Sequence, residues 1–226
     1  MMACDIRLRW PVKAIIAGSS GSGKTCLTSR VIKHLDSVMT ESPRRIVVFY
    51  AHMQEQYDKF KKDAPCPVIF HKGGPSSSFA PMKKDLLIVD DLQSSHAEIV
   101  SDYFTRICHH ADCSMIYLVQ NVFDKSPHHR SISLNASAII LLRNPRDMSQ
   151  ISYLDKQIFP GGGGLLTKAY RDATSNRPHS YIVIDFHQTC SEAFRIRNTL
   201  FPQEDFPHAY VYVRDGGDTE KRQAAR

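Results

Sequence analysis

No apolar run in the sequence approaches the ~18–20 residues that a bilayer-spanning helix needs, so no membrane span is expected. The first residues, Met1-Met2-Ala3-Cys4-Asp5, lack the basic lead and apolar stretch of a signal peptide. The chain is therefore expected to stay in the cytosol or nucleus. Its six cysteines then read as reduced thiols, which excludes a disulfide framework. A zinc site is also poorly provided for. Cys108-His109-His110-Ala111-Asp112-Cys113, with His128-His129 downstream, has no second paired arm, and Cys113 runs straight into an apolar strand. Packing and loop roles are expected there. Internal repeats and low-complexity domains are lacking too. Net charge is +6 with a pI near 9.0, which leans towards a polyanionic partner. The lean is slight, because basic residues are scattered and the densest group, Lys59, Lys61 and Lys62, reads equally as a solvated helix face.

What is there in strength is one stretch, Gly18-Ser19-Ser20-Gly21-Ser22-Gly23-Lys24-Thr25, which fits G-x-x-x-x-G-K-[ST]. Glycines let the backbone wrap close enough to turn several N–H groups on phosphates. Lys24 reaches the β/γ-phosphates, and Thr25 offers a hydroxyl to Mg²⁺. The surroundings agree. Ala14-Ile15-Ile16-Ala17 reads as a buried strand leading in. Leu27, Val31, Ile32, Leu35 and Val38 follow at helical spacing, so the loop opens a helix whose N-terminus favours anions. A bound nucleoside triphosphate is expected, and 226 residues suit a single α/β domain.

A second landmark is Asp85-Leu86-Leu87-Ile88-Val89-Asp90-Asp91, a buried strand ending in two acids. In this Walker B arrangement Asp90 holds Mg²⁺ and Asp91 orients or deprotonates the attacking water. Capping of the next helix by the same acids is compatible with that. The strand Cys113-Ser114-Met115-Ile116-Tyr117-Leu118-Val119 ends in Gln120-Asn121, where an amide either contacts the γ-phosphate as a sensor or caps a loop.

Between these landmarks, strands are expected at residues 12–17, 45–50, 68–70, 138–142 and 181–185, and a polar helix at 54–62. Trp10-Pro11 either covers the nucleotide base or closes the sheet edge. The stripe Ile99, Val100, Tyr103, Phe104 and Ile107 is read as core. Asn144 and Pro145 look like the N-cap and first residue of a helix carrying Met148, Ile151, Leu154 and Ile158. Arg106, Arg130, Arg143 and Arg146 all qualify by position as a finger for a neighbouring subunit's nucleotide, or as surface arginines. Lys125, His128, His129 and Arg130 make a short basic segment. Phe159-Pro160-Gly161-Gly162-Gly163-Gly164 is either a loop facing substrate or a linker to a helix at 165–173. Residues 214–226 read as a polar, frayed tail, which leaves residues 1–213 as the domain.

Taken together, these segments resemble the FtsK–HerA superfamily, specifically its poxvirus-type genome-packaging branch, found also in large self-synthesising DNA transposons and related viruses. The resemblance runs from about Pro11 to Val213. It rests on Trp10-Pro11, GSSGSGKT, LLIVDD, and the block IYLVQN followed by RSISLNASAIILLRNPRD. Phe194-Arg195-Ile196-Arg197-Asn198 and Leu200-Phe201-Pro202 add to it. It implies an additional-strand type of P-loop fold and a homo-oligomeric ring ATPase using ATP and Mg²⁺. It further implies double-stranded DNA and capsid proteins as partners, no membrane, and a place in the host nucleus, a cytoplasmic virus factory or the virion. By position the loop residues, Asp90, Asp91 and Gln120 match the family's nucleotide-handling motifs. Many motors of the wider superfamily carry Glu where Asp91 stands, and no residue identifies itself as the trans-acting arginine.

The expected architecture is a three-layer α/β P-loop NTPase with a mainly parallel central sheet. The expected activity is ATP-driven translocation of duplex DNA. Two alternatives stand beside it: another P-loop ATPase, such as a helicase or AAA+-type remodeller, and a non-motor assembly protein switched by nucleotide. A nucleoside kinase is disfavoured by the lack of an arginine-rich lid.

Overall fold

The computed structural model describes residues 5–92, 96–123, 126–146, 148–161, 163–175, 177–205, 209–215 and 218–223. Met1, Met2, Ala3, Cys4, Lys125, Asp147 and Gly162, named above, lie outside the described residues, as do residues 216–217 and 224–226 of the expected tail. Five apolar runs form the centre of a sheet: β1 Lys13–Ala17, β2 Arg45–Tyr50, β4 Asp85–Asp90, β5 Ser114–Val119 and β6 Ala138–Leu142. They are rich in Ile, Val and Leu and buried almost throughout, as strands covered on both faces must be. With β3 Val68–Lys72, β7 Tyr181–Asp185, β8 Ile196–Arg197, β9 Tyr210–Asp215 and β10 Asp218–Gln223, they make one sheet among the described residues. Its order is β10-β9-β8-β7-β6-β1-β5-β4-β2-β3. Pairings from β3 to β6 are parallel, and those from β6 to β10 are antiparallel.

Side chains alternate across each strand, so each run feeds two cores. Ala14, Ile16, Ile46, Val48, Leu86 and Ile88 meet Leu27, Val31 and Ile32 of α1 Lys24–Lys33. On the same face lie Leu35 and Val38 of α2 Leu35–Val38, and Tyr57 and Phe60 of α3 Tyr57–Asp63. On the opposite face Ile15, Val47, Phe49, Leu87 and Val89 meet a second helical layer. It starts with α4 Ala97–Asp102, continues through a π-helical turn, Tyr103–Ile107, and ends in α5 Cys108–His110. Then come α6 Pro127–Asn135, α7 Ser149–Ile158 and α8 Leu165–Ser175. A single turn, α9 Pro202–Asp205, docks on α1, where Arg30 meets Glu204 at 2.6 Å. The three-layer α/β class is as the sequence implies. None of the described helices is long and apolar enough to cross a membrane.

Two open readings are decided and two others change. Trp10 does not cover a nucleotide. It sits at the amino edge of the sheet, where its indole N–H donates to Asp112 Oδ1 at 3.0 Å, just before β5, and the ammonium of Lys84 lies over the ring. The phosphate loop is at the other end of β1. Asn144 is not an N-cap either. Its Oδ1 accepts from Arg146 N at 3.2 Å, an Asx turn that postpones α7 to Ser149. The glycine-rich stretch lies between α7 and α8, where buried Asp155 of α7 accepts from Leu166 N and Thr167 N of α8. Beyond residue 213, where a frayed tail is expected, the chain forms the end of β9 and pairs β10 onto it. Main-chain pairing at a sheet edge does not require the apolar alternation by which a strand is recognised in sequence.

Candidate active site

Parallel strands end together, and the crevice at their carboxyl ends is where α/β sheets bind ligands. Here the register sets the arrangement. Ala17 of β1 lies level with Val119 of β5, and Asp90 of β4 with Leu118, so Gly18, Gln120 and Asp91 emerge side by side. Gly18 N donates to Val119 O at 3.1 Å as the chain leaves β1. A Cβ at Gly18 would lie 3.0 Å from Leu142 Cβ and closer still to Ser22 Oγ, so a larger residue would have to displace both neighbours. Gly23 has φ 101° and caps α1, a conformation that L side chains resist. Lys24 Nζ crosses the loop and donates to Gly18 O at 2.7 Å and Ser19 O at 3.2 Å. Burial lowers its pKa, and Asp91 and Asp90 act in the opposite sense.

Asp90 is buried. Its Oδ2 accepts from Tyr57 Oη at 2.8 Å, Gln54 Nε2 at 3.4 Å and, at the outer limit, Thr25 Oγ1 at 3.5 Å. Thr25 Oγ1 also reaches Gln54 Oε1 at 3.2 Å. Burial raises the Asp90 pKa, Tyr57 lowers it, and Asp91 next door raises it again. A buried carboxylate whose hydrogen-bond donors are neutral, beside a threonine hydroxyl, is a hard-oxygen donor set, and it fits Mg²⁺. Asp91 is exposed, in the left-handed region at φ 49°, and its Oδ1 accepts from Gln120 Nε2 at 3.4 Å. The acid and the amide thus form one unit at the rim of the crevice.

The four candidate arginines are dispersed and all exposed. Arg143 and Arg146 follow β6 at the edge that carries the phosphate loop. Arg130 lies on α6. Arg106 is held by Asp102 at 2.6 Å, within the helical layer. Cys108 and Cys113 are both buried, with Cys113 N donating to Cys108 O at 3.1 Å.

Three side chains at the site were not singled out from the sequence. Gln54 and Tyr57 come from the segment after β2, read there only as part of a polar helix. His179 comes from the α8–β7 connection, and its Nδ1 lies 2.8 Å from Ser22 O. The aromatic pattern around Tyr57 was the available signal. Tyr50, Phe60 and Phe70 pack around its ring within 5.6 Å, which fixes the phenol under Asp90. Burial, and then Asp90, raise the Tyr57 pKa far above its ordinary value, so it stays a hydrogen-bond donor. Tyr57→Phe is expected to raise the Mg²⁺ concentration needed for nucleotide binding about tenfold, by removing one hydrogen bond to a charged group. Titration of Mg²⁺ against a fluorescent ATP analogue checks this, and an unchanged Mg²⁺ requirement would contradict it.

Fold and loop together define a P-loop nucleoside triphosphatase fold. No family model matches the chain, and no curated protein matches it. Among solved structures it is similar to the genome packaging NTPase B204 of Sulfolobus turreted icosahedral virus 2. In the complex with sulfate the identity is 15%, over 78% of this chain and 92% of that one, with a TM-score of 0.47. With AMPPCP the values are 14%, 78%, 93% and 0.48. The ATPase DotB of Legionella pneumophila is 11% identical over 61% of this chain and 42% of its own, with a TM-score of 0.39.

Proposed function

We propose that the protein hydrolyses ATP and uses the cycle to drive double-stranded DNA into a viral capsid. The observation that carries the hydrolytic part is the meeting of Lys24, Thr25, Asp90, Asp91 and Gln120 at one edge of the sheet. The loop N–H groups and Lys24 bind the β- and γ-phosphates. Thr25 and Asp90 would hold Mg²⁺, which would neutralise charge on those phosphates. Asp91 orients a water against the γ-phosphorus and takes its proton. The bond to the β–γ bridging oxygen breaks, and ADP and phosphate leave. Gln120, hydrogen-bonded to Asp91 and carried on β5, reports the loss of the γ-phosphate to the chain that follows.

The DNA-packaging part is supported by the resemblance of the GSSGSGKT, LLIVDD and IYLVQN blocks and, weakly, by the charge of +6. Subunits act as a homo-oligomeric ring at a capsid, inside the infected cell, with one of Arg143, Arg146, Arg130 or Arg106 completing a neighbour's site. Duplex is gripped through its phosphates rather than read by sequence. The test is duplex binding at several salt concentrations. The logarithm of the binding constant should fall linearly with the logarithm of salt, and a salt-independent constant would contradict the proposal. A second reading, a nucleotide-switched assembly protein without a motor cycle, is favoured by one feature: the hydrolytic acid is Asp91, shorter than glutamate. It predicts ATP binding with negligible turnover.

A further inference from the structure

The phosphate loop has two unlike sides. On the β5–β4 side stand Asp90, Asp91 and Gln120, which serve the terminal phosphate and its water. On the β6–β7 side residues 177–180 lie against the loop, anchored where Arg143 N donates to Ser180 O at 2.9 Å. His179 turns into the left-handed region at φ 59°, and its ring sits so close to Gly23 that a Cβ there would lie 2.9 Å from Nδ1. Beyond His179 opens a cavity of about 310 Å³, walled by Arg30 of α1, Ala173 of α8, Arg177, His179, Asn198 and Tyr210.

We infer that this cavity receives the nucleoside of the bound triphosphate. The inference rests on the phosphate-loop reading above and adds to it the direction in which the nucleotide lies. With its γ-phosphate turned towards Asp90 and Asp91, the triphosphate leaves the loop on the opposite side, past Ser22 and Gly23. There it meets His179 and the cavity mouth. Sheet order alone sets this polarity, since β4 and β5 flank β1 on one side and β6 and β7 on the other.

The chemistry of the walls suits a nucleoside. The Ser22 carbonyl can only accept, so Nδ1 of His179 carries the proton of their 2.8 Å contact. In the neutral ring Nε2 is then an acceptor for a ribose hydroxyl or an exocyclic amine. Arg177 is exposed at the mouth, and its planar guanidinium offers a stacking face to a base, as does the ring of Tyr210. The floor is already fixed. Arg30 pairs with Glu204 at 2.6 Å and Asp205 at 3.2 Å, Asp172 accepts from Tyr212 Oη at 2.6 Å, and Asn198 Oδ1 accepts from Tyr210 N at 2.8 Å. A ligand entering does not have to order these groups, which favours affinity.

The test compares two ligands, ATP and inorganic tripolyphosphate, each with Mg²⁺, by calorimetry. Tripolyphosphate fills the loop and leaves the cavity unused. Ala173→Phe, which fills the cavity, is expected to weaken ATP about tenfold or more, and Arg177→Ala about three- to tenfold, the range of one lost contact. Tripolyphosphate affinity should stay the same in both variants, which also shows that they are folded. Unchanged ATP affinity in both variants, with Lys24→Ala losing both ligands, would overturn the cavity assignment and leave the phosphate loop standing. Equal affinity of the wild-type protein for the two ligands would also overturn it. Binding of neither ligand would remove the phosphate-loop reading itself.

Discussion

Asp91→Asn is expected to lower kcat for ATP hydrolysis by about 10²–10³-fold while ATP affinity changes by less than about twofold, the pattern of a lost proton acceptor. The substitution keeps shape and polarity and removes only the capacity to take a proton. Its backbone position is equally suitable, because Asn tolerates the left-handed region that Asp91 occupies at φ 49°. The side chain is exposed, so folding should be unaffected. Gln120 loses an anionic acceptor at 3.4 Å, which adds to the fall in kcat without touching the phosphate loop. Asp91→Glu restores a carboxylate and is expected to recover turnover. Steady-state kinetics and a binding isotherm on the two variants check this. A kcat for Asp91→Asn within about threefold of wild type would contradict the assignment of the base.

The second large effect concerns stability. Arg197 is 1% exposed and joins three parts of the chain. Both terminal nitrogens meet Asp185 Oδ2 at 3.3 Å, Nη1 donates to Phe194 O at 2.9 Å, and Nη2 donates to Ile6 O at 3.0 Å. Asp185, itself 3% exposed, closes β7 opposite the amino end of β6, well away from the nucleotide. Arg197→Met removes the cation and leaves that buried carboxylate without its ion-pair partner, with His187 N still donating to Oδ1 at 3.0 Å. The expected cost is about 3–5 kcal/mol, the usual penalty for breaking a buried pair from one side. For a chain of this length that corresponds to a fall in Tm of roughly 6–20 °C. Adding Asp185→Leu removes the second charge and should recover a large part of the loss, because two apolar side chains do not carry the desolvation cost. Urea unfolding of the single and double variants decides it. A single variant within about 1 kcal/mol of wild type, or a double variant less stable than the single, would contradict this account.

The parts of the site legible in sequence were those whose chemistry and position are local. The phosphate loop is contiguous, and Asp90, Asp91 and Gln120 are each read from the apolar strand that ends at them. Gln54, Tyr57 and His179 reach the site only because β2 lies beside β4, and because the α8–β7 connection passes the phosphate loop on its β6–β7 side. Sequence spacing does not carry strand order. Trp10 was ambiguous for a related reason. A residue just before a strand lies at the opposite edge from one just after it, and only the run of β1 from Lys13 to Ala17 separates Trp10 from the loop. The Asn144 reading failed because an asparagine that starts a helix and one that makes an Asx turn have the same local sequence. In β10 the hydrogen bonds belong to the main chain, so its polar side chains hide the strand.

The most direct measurement is steady-state ATP hydrolysis with and without long double-stranded DNA, with Lys24→Ala as the blank. A translocating motor predicts several-fold stimulation that grows with duplex length and is absent in the variant. Tight ATP binding with no turnover, with or without DNA, would contradict the motor and leave a nucleotide-switched assembly protein in its place.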